Sequence, residues 1–244
     1  MKKTTAISFQ EMKSRLLQNP SLLNLGKKHT KNTMETKRAI ILLSGGIDST
    51  ILLAKLSSEN VEIVALSFDY GQKHKIELYY AQKNAEKYGV KIHQVIELDN
   101  ILFSASALVN SELKVSTYEN MEVPNEHVNV YVPFRNLLFI STALSLAETM
   151  AINEVYLAIN KEDSVNFWDC RTGFIEKINA IASTSSSIQI KTPFINLSKA
   201  EIIRMGRQLK VDLNNTITCY QPIEFKECGV CLSCVTKQMA LEIS

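Results

Sequence analysis

Short apolar runs rich in Val and Ile alternate along most of the chain with longer segments whose apolar positions recur at helical spacing. Short runs that are apolar throughout are typical of strands buried on both faces, and helical spacing indicates the helices that cover them. The alternation predicts an α/β fold in which helices cover both faces of a parallel sheet. The predicted strands are 38–43, 61–67, 91–98, 154–159 and 188–194, and the predicted helices are 48–58, 75–88, 135–149, 173–182 and 198–209.

Two stretches do not follow this alternation. Residues 100–130 lack a clear period, which predicts an insertion or a lid. Residues 183–187 read Ser-Thr-Ser-Ser-Ser, a composition typical of a flexible connector. Because right-handed crossovers bring the loops after parallel strands to one crevice, we expect a nucleotide site at the carboxyl ends of the first strands.

The first predicted strand leads directly into a glycine turn and a helix start. Residues 44–50 read Ser-Gly-Gly-Ile-Asp-Ser-Thr. Paired glycines let the backbone approach an anion, and the helix N-terminus and three hydroxyls add donors, so the turn predicts a phosphate site. A carboxylate inside such a site predicts that Asp48 is a ligand, directly or through water, of a nucleotide-bound Mg²⁺. The alternative is a turn without a ligand, in which Asp48 caps the helix.

This turn lacks the Gly-Lys-Ser/Thr of Walker-type phosphate loops. It resembles the pyrophosphate loop of the N-type ATP pyrophosphatases, which split ATP into AMP and pyrophosphate to activate a carbonyl or carboxyl oxygen. The resemblance implies a Rossmann-like α/β domain. It also implies an ATP-binding set made of Leu43, Ser44, Gly45, Gly46, Ile47, Asp48, Ser49, Thr50, Ile51, Leu52 and Leu53.

Four of the five cysteines lie close together near the C-terminus, at Cys219, Cys228, Cys231 and Cys234. Two Cys-x-x-Cys intervals and a further thiolate can close a tetrahedral shell around one Zn²⁺ with no open position, which predicts a structural zinc knuckle. An iron–sulfur cluster and redox thiols are the alternatives. The fifth cysteine, Cys170, is predicted to be a small buried residue.

Composition and charge limit the remaining classes of protein. The chain has 244 residues, 45% of them hydrophobic and 21% charged, which is typical of one main globular domain. Its formal net charge of +2 is small, so we do not expect it to bind nucleic acid. No apolar stretch is long enough to cross a bilayer, and no export leader is evident, so we expect a cytoplasmic protein. We divide the chain into a basic flexible extension at 1–37, an α/β ATP pyrophosphatase domain at 38–212, and a zinc-binding loop with a C-terminal helix at 213–244.

Several further segments occur in a specific order. Phe-Asp-Tyr-Gly-Gln-Lys-His occupies 68–74, Val-Pro-Phe-Arg-Asn occupies 132–136, and Asp-Cys-Arg occupies 169–171. Thr-Pro at 192–193, Ser-Lys-Ala-Glu at 198–201 and Cys-Tyr-Gln at 219–221 follow. Together with the phosphate loop and the cysteines, these segments resemble the 7-cyano-7-deazaguanine synthase family of queuosine-precursor enzymes over about residues 38–240.

The resemblance implies a reaction. In that family, the carboxylate of 7-carboxy-7-deazaguanine attacks the α-phosphate of ATP, which gives an acyl adenylate and releases pyrophosphate. Ammonia displaces AMP to form an amide, and a second ATP activates the amide oxygen so that dehydration yields the nitrile. The implied protein is an ATP-dependent carbon–nitrogen ligase with Mg²⁺ and Zn²⁺. A homodimer is also implied, with the apolar helix over 137–146 as its candidate contact.

The resemblance further implies roles for single side chains. Asp48, Lys199 and Arg135 are the predicted catalytic residues, the two cations neutralising the departing pyrophosphate unless they are solvated surface charges. Asp169 is expected to pair with the amidine edge of the base and Arg171 with the substrate carboxylate, unless both belong to a local ion pair. His74 is either a proton shuttle or an ordinary surface histidine. The predicted substrate-binding set is Tyr70, Gln72, Arg135, Asn136, Asp163, Trp168, Asp169 and Arg171.

The chain departs from the family pattern around the predicted base pocket. Ala158 replaces a glycine, Ser164 and Asn166 replace a tyrosine and a glycine, and Phe167 and Trp168 replace Tyr-Pro. An aromatic residue at this wall still suits stacking on a heterocycle. The departures leave open whether the product is the nitrile, the amide or a protein conjugate.

The sequence therefore keeps alternative functions open. One is a relative from bacterial antiviral systems that transfers the activated deazaguanine carboxylate to an amine of a partner protein, with the extension 1–37 binding that partner. A second is a scaffold that binds ATP without chemistry, although such a scaffold does not need Asp48 and its neighbouring serines. The tRNA-modifying ATP pyrophosphatases are a third, although the sequence shows no strongly basic face.

Overall fold

The core of the protein is a parallel five-stranded sheet. A computed structural model describes residues 37–118 and 129–244. The strand order is β3-β2-β1-β4-β5, and every pairing is parallel. The strands are β1 (Arg38–Leu42), β2 (Glu62–Asp69), β3 (Ile92–Glu97), β4 (Glu154–Tyr156) and β5 (Gln189–Lys191).

Helices cover both faces of this sheet, as predicted. They are α1 (Ile47–Ser58), α2 (Ile76–Lys87), α3 (Arg135–Thr149), α4 (Lys161–Asn166), α5 (Thr172–Ala182), α6 (Lys199–Gln208) and α7 (Leu232–Glu242). Successive residues of β1 point to opposite faces. Ile40 packs in a core with α3 and α5, and Ile41 packs in a second core with α1, α2 and α6.

The fourth and fifth strands are shorter than predicted. The β4–β5 ladder ends near the bond from Leu157 N to Lys191 O, and Pro193 has no N–H with which to extend it. Beyond β4, Asn160 caps α4 through a reciprocal capping box with Asp163. The sequence did not predict this short helix, because six largely polar residues carry no apolar period.

The region predicted as an insertion or a lid joins β3 to α3. It begins with a 3₁₀ turn at Asn100–Phe103, and Phe103, Leu108 and Val115 are buried in the core. Part of the prediction, residues 119–128, lies outside the described residues, as does all of the basic extension except Lys37. In the described ranges this region packs into the core.

The strand order defines where a ligand can bind. The chain winds from β1 through β2 to β3 on one side and reaches β4 and β5 on the other, so the order reverses between β1 and β4. Crevices at such a reversal, outside the carboxyl ends of the strands, are the usual binding sites of open α/β sheets. Across residues 37–118 and 129–244, no helix has both the length and the apolar character needed to cross a membrane.

Candidate active site

The turn after β1 is shaped by its first glycine. Gly45 has φ +83°, and a Cβ there would lie 2.1 Å from the carbonyl oxygen of Glu77 and 2.7 Å from the nitrogen of Ala81. Position 45 therefore requires glycine both for its left-handed conformation and for the close approach of α2. Gly46 then starts α1 as its N-cap, with no side chain capping the helix.

Serine hydroxyl groups form hydrogen bonds within the turn. Ser44 Oγ and Ser49 Oγ lie 3.0 Å apart, and the Gly46 N–H donates to Ser44 Oγ at 3.2 Å. Thr50 is buried and accepts a hydrogen bond from Asn84 instead. Because no side chain caps α1, its first-turn N–H groups and the positive end of its dipole remain available to an anion at this spot.

Asp48 does not cap α1, so the capping role of the alternative interpretation is wrong. Its Oδ2 forms an ion pair with Lys199 Nζ and accepts a hydrogen bond from Asn160 Nδ2 at 3.1 Å. Its Oδ1 is buried and has no hydrogen-bond partner among the described residues. A buried carboxylate oxygen without a donor fits the preference of Mg²⁺ for oxygen ligands.

Lys199 is a buried cation at the start of α6. The capping box between Ser198 and Glu201 fixes this helix start, and the Lys199 N–H donates to the Glu162 carboxylate at 3.2 Å. Burial alone would lower the pKa of Lys199, but the charges of Asp48 and Asp163 outweigh it and raise that pKa. The structure thus places a permanent positive charge opposite the turn, and Lys199 is not a solvated surface charge.

Arg135 forms the facing wall of the same cavity. It begins α3 after Phe134, whose left-handed φ of 51° turns the chain into the helix. Its Nη1 donates to the Tyr70 hydroxyl at 3.4 Å, and it forms no ion pair with any carboxylate in the described ranges. A guanidinium on a cavity wall without a carboxylate partner in the described ranges suits an anionic ligand.

His74 is buried beside this wall, and the Glu77 side chain next to it is 14% exposed. Gln72 Nε2 donates to Glu77 Oε1 at 2.8 Å, and His74 Nε2 lies 3.6 Å from Glu77 Oε2. Burial raises the pKa of Glu77 to about 8, and burial together with the charge of Arg135 lowers the pKa of His74 to about 4. His74 is therefore neither an ordinary surface histidine nor an imidazole that titrates near neutral pH.

Two other acidic residues lie near the Arg135 wall. Asp163 lines the cavity, where burial raises its pKa to about 6 against the charge of Lys199. Asp169 is buried behind the wall, and its Oδ2 accepts a hydrogen bond from the Asn136 N–H at 3.2 Å. Burial also raises the pKa of Asp169. Asn136 reaches the cavity itself and also donates through Nδ2 to Cys170 Sγ at 3.1 Å.

The predicted site residues separate into two groups. The cavity encloses about 280 Å³ and collects most of the predicted polar set, together with residues that the sequence did not single out, such as Thr218 and Ser233. The predicted residues on its wall are Leu43, Ser44, Gly46, Ile47, Asp48, Ser49, Tyr70, Arg135, Asn136, Asp163 and Lys199. Those that do not line it are Gly45, Thr50, Ile51, Leu52, Leu53, Gln72, Trp168, Asp169 and Arg171.

The residues away from the cavity have other contacts. Gln72 braces its own loop, because it accepts from the Tyr70 N–H and donates to the Phe68 carbonyl. Trp168 is 39% exposed, packs edge-on against Phe134 and Phe174, and donates to the Tyr131 hydroxyl. Arg171 is exposed at the start of α5.

The four clustered cysteines adjoin the cavity. Their sulfur atoms all lie within 4.8 Å of one another, and Cys219 also lines the cavity wall. A tetrahedral zinc with bonds of about 2.3 Å separates its sulfurs by about 3.8 Å, so the cluster fits that ion. Backbone N–H groups of Gln221 and Cys228 donate to Cys219 Sγ. The Ile217 N–H donates to the Gly45 carbonyl at 3.2 Å, which ties this loop to the phosphate turn.

These features define a class of protein. A parallel sheet of order 3-2-1-4-5 with a Ser-Gly-Gly-x-Asp-Ser turn at the reversal is the fold of the N-type ATP pyrophosphatases. A solved 4-thiouridine synthetase, described as an RNA complex with bound ATP, shares this fold at a TM-score of 0.50 and 14% sequence identity. That similarity covers 85% of this chain and 50% of the synthetase chain. Residues 38–244 match the family model of queuosine biosynthesis protein QueC, and the chain belongs to that family.

Curated relatives agree with this family. The chain is 39% identical over 206 residues to the 7-cyano-7-deazaguanine synthase of Rickettsia bellii (strain OSU 85-389), which covers 82% of this chain and 92% of the relative. It is 40% identical over 229 residues to the enzyme of the same name from Leptospira interrogans serogroup Icterohaemorrhagiae serovar copenhageni (strain Fiocruz L1-130). That second match covers 90% of this chain and 93% of the relative. The family resemblance drawn from the sequence segments is confirmed.

Proposed function

We propose that this chain is a 7-cyano-7-deazaguanine synthase that activates 7-carboxy-7-deazaguanine with ATP and converts it with ammonia, through the amide, to the nitrile. The proposal is supported by relatives of that name, which are matched over more than nine-tenths of their length. One observation carries the adenylating step. Asp48 Oδ1, a buried oxygen without a hydrogen-bond partner in the described ranges, lies on the same cavity wall as the uncapped start of α1 and the Lys199 and Arg135 cations.

The phosphate turn would hold the departing pyrophosphate. Negative charge grows on that group as the α-phosphate is attacked, and the first-turn N–H groups of α1 are already oriented toward it. Lys199 stays protonated in its buried position and supplies a fixed positive charge there. Because both are preorganised, little reorganisation is needed when the bond breaks.

Asp48 would hold a magnesium ion through Oδ1 while Oδ2 remains bound to Lys199 and Asn160. Bound Mg²⁺ neutralises phosphate charge and orients the triphosphate. Asn160 and Lys199 together hold Oδ2, which leaves Oδ1 as the oxygen that would take up the ion.

The deazaguanine acid would lie against Arg135. The guanidinium is suited to its carboxylate, because a planar fork of donors matches two carboxylate oxygens. Tyr70, Asn136 and Asp163 line the adjoining wall and present groups for the polar edge of the base. Arg135 would thus orient the attacking carboxylate toward the nucleotide at the phosphate turn, and orientation of this kind removes much of the barrier to a reaction of two molecules.

The cysteine cluster would hold a structural Zn²⁺. Four thiolate ligands leave no open position for water or substrate, so the ion would stabilise the loop that carries Thr218 and Tyr220 to the cavity. The comparisons lend no support to the antiviral transfer enzyme or to the non-catalytic scaffold.

The products of purified protein test this proposal. The protein is incubated with 7-carboxy-7-deazaguanine, ATP, Mg²⁺ and ammonium, and the products are weighed by mass spectrometry. The expected result is the nitrile together with AMP and pyrophosphate. An amide that goes no further would limit the protein to the first half of the reaction, and the absence of AMP with this acid would overturn the proposal.

A further inference from the structure

Ammonia poses a chemical problem that the adenylating machinery does not address. At neutral pH most ammonia is present as ammonium, which has no lone pair for attack on a carbonyl carbon. The site that receives it must bind a small cation and then remove a proton close to the acyl group. A carboxylate in the cavity is the group suited to both tasks.

Within the described residues, three carboxyl groups line the cavity, and each has one oxygen engaged. Two of them, Asp48 and Asp163, also lie beside the Lys199 cation. Asp48 is paired with Lys199, and Asp163 Oδ2 accepts the Asn160 N–H in the capping box of α4. Glu77 is the third. Only its Oε1 accepts a hydrogen bond from the described residues, and its Oε2 faces His74 Nε2 at 3.6 Å, which is too long for a hydrogen bond.

A hydrogen bond from Gln72 fixes the position of the Glu77 carboxyl group. Gln72 Nε2 donates to Oε1, and Gln72 is itself fixed by the Tyr70 N–H and the Phe68 carbonyl. The neighbouring His74 has a buried Nδ1 with no hydrogen-bond partner in the part of the chain that the structure describes. Glu77 Oε2 is thus an acceptor in the cavity wall that no donor of the described residues fills within hydrogen-bond distance.

We propose that Glu77 is the general base of the amide-forming step, with Oε2 binding ammonium beside the acyl adenylate and accepting a proton from it. This assignment rests on the proposed function. The raised pKa of Glu77, about 8 because of burial, brings its basicity closer to that of ammonia than an ordinary carboxylate would be. The step uses the ionised form of Glu77, whose share grows as the pH rises through about 8.

The amide-forming step transfers one proton of ammonium to Glu77. One N–H bond of ammonium breaks and its proton moves to Glu77 Oε2, which leaves neutral ammonia. The nitrogen lone pair forms a bond to the acyl carbon, and the bond from that carbon to the AMP oxygen breaks with its electron pair remaining on AMP. The second proton, lost by nitrogen as the tetrahedral adduct collapses, leaves with the AMP phosphate. The Glu77 proton returns to solvent before the next cycle.

Replacing the nucleophile separates this role from adenylation. Hydroxylamine is largely unprotonated at neutral pH, so it can attack the acyl adenylate without a base. Three rates are measured for wild type and for Glu77→Gln, namely ATP–pyrophosphate exchange dependent on the acid, amide formation with ammonium, and hydroxamate formation with hydroxylamine. We expect the variant to lose about 100-fold in the ammonium rate and to keep the other two within about threefold.

Further variants keep the test decisive. Glu86→Gln, an exposed position on the same helix, should leave all three rates unchanged. If Glu77→Gln does not fold, Glu77→Asp replaces it, and its ratio of amide to hydroxamate should fall about tenfold. An unchanged ratio in either variant, or loss of exchange and hydroxamate in parallel with amide, would overturn the role of Glu77. Failure of wild type to exchange pyrophosphate with this acid would instead overturn the proposed function.

Discussion

At the residue scale, the proposed chemistry depends on two charged side chains of the cavity, Asp48 and Arg135, which have different hydrogen-bond surroundings. Asp48 is surrounded by donors on one oxygen and by none on the other among the described residues, whereas the Arg135 guanidinium has a single long hydrogen bond to Tyr70. The unpartnered Asp48 oxygen is unfavourable in the free protein, because a buried polar atom without partners loses its hydration without compensation. Under the proposed function, a cation at Asp48 and an anion at Arg135 would supply the partners that the described residues do not.

Changing Asp48 to Asn tests the predicted magnesium ligand. The amide keeps the shape of the side chain but loses the charge that binds a divalent cation. Pyrophosphate release should fall at least about 100-fold, while the zinc content stays at wild-type level. A colorimetric pyrophosphate assay with metal analysis checks both, and release near the wild-type rate would contradict the assignment of Asp48.

Changing Arg135 to Met should separate stability from activity. Burial lowers the pKa of Arg135, but the Tyr70 hydroxyl and neighbouring charges outweigh it and raise that pKa, so replacing the guanidinium is expected to lower the free energy of unfolding by no more than about 1 kcal/mol. The same change should abolish formation of AMP. Thermal unfolding measures the first effect, with Arg204→Met, an exposed control on α6, expected to shift stability by no more than about 0.5 kcal/mol. A much larger fall in Tm for Arg135→Met would show that the loss of AMP formation comes from misfolding.

At the scale of elements, the sequence predicted well what is set locally. Apolar runs located all five strands, and Ser198 with Glu201 located the start of α6. Contacts between distant segments were not predictable, because no local pattern records them. Asn160 reaches Asp48 across 112 residues, and Glu77 enters the cavity only because α2 packs against Gly45. For the same reason the predicted substrate set included Trp168 and Arg171, which the fold places away from the cavity wall.

The contact between the phosphate turn and α2 can be tested with two glycines. Gly45 and Gly89 both have positive φ, at 83° and 70°, but only Gly45 faces backbone atoms at contact distance. Gly89→Ala should cost about 1 kcal/mol of stability from backbone strain alone. Gly45→Ala should cost clearly more, because its Cβ would overlap the Glu77 carbonyl oxygen. Urea unfolding compares them, and equal losses would show that α2 yields without cost.

At the scale of the whole molecule, the C-terminal cysteine loop completes the cavity. It supplies Thr218, Cys219 and Tyr220 to the wall, and it is tied to the phosphate turn through the Ile217 N–H and the Gly45 carbonyl. The conformation of this loop therefore affects the shape of the cavity. The homodimer stays a prediction; on α3, residues such as Leu137 and Leu146 are partly buried against the core of the chain itself.

Removing one ligand of the proposed zinc ion should affect the whole molecule. Cys231→Ser is expected to lose bound zinc, to lower the Tm, and to weaken the stabilisation that ATP provides, since the loop no longer closes the cavity. Cys170→Ser lies outside the cluster and should retain zinc. Metal analysis and thermal unfolding with and without ATP measure these effects. Full zinc content in Cys231→Ser would contradict the four-thiolate site.

The central step of the proposed function is attack of the substrate carboxylate at the α-phosphate of ATP. Transfer of an oxygen atom tests this directly, because an acyl adenylate leaves one carboxylate oxygen on AMP when ammonia displaces it. The acid is labelled with oxygen-18 in its carboxylate, and the nucleotide products are weighed by mass spectrometry after one turnover with ammonium. We predict AMP carrying one heavy oxygen, whereas label in inorganic phosphate, or unlabelled nucleotide, would contradict the account.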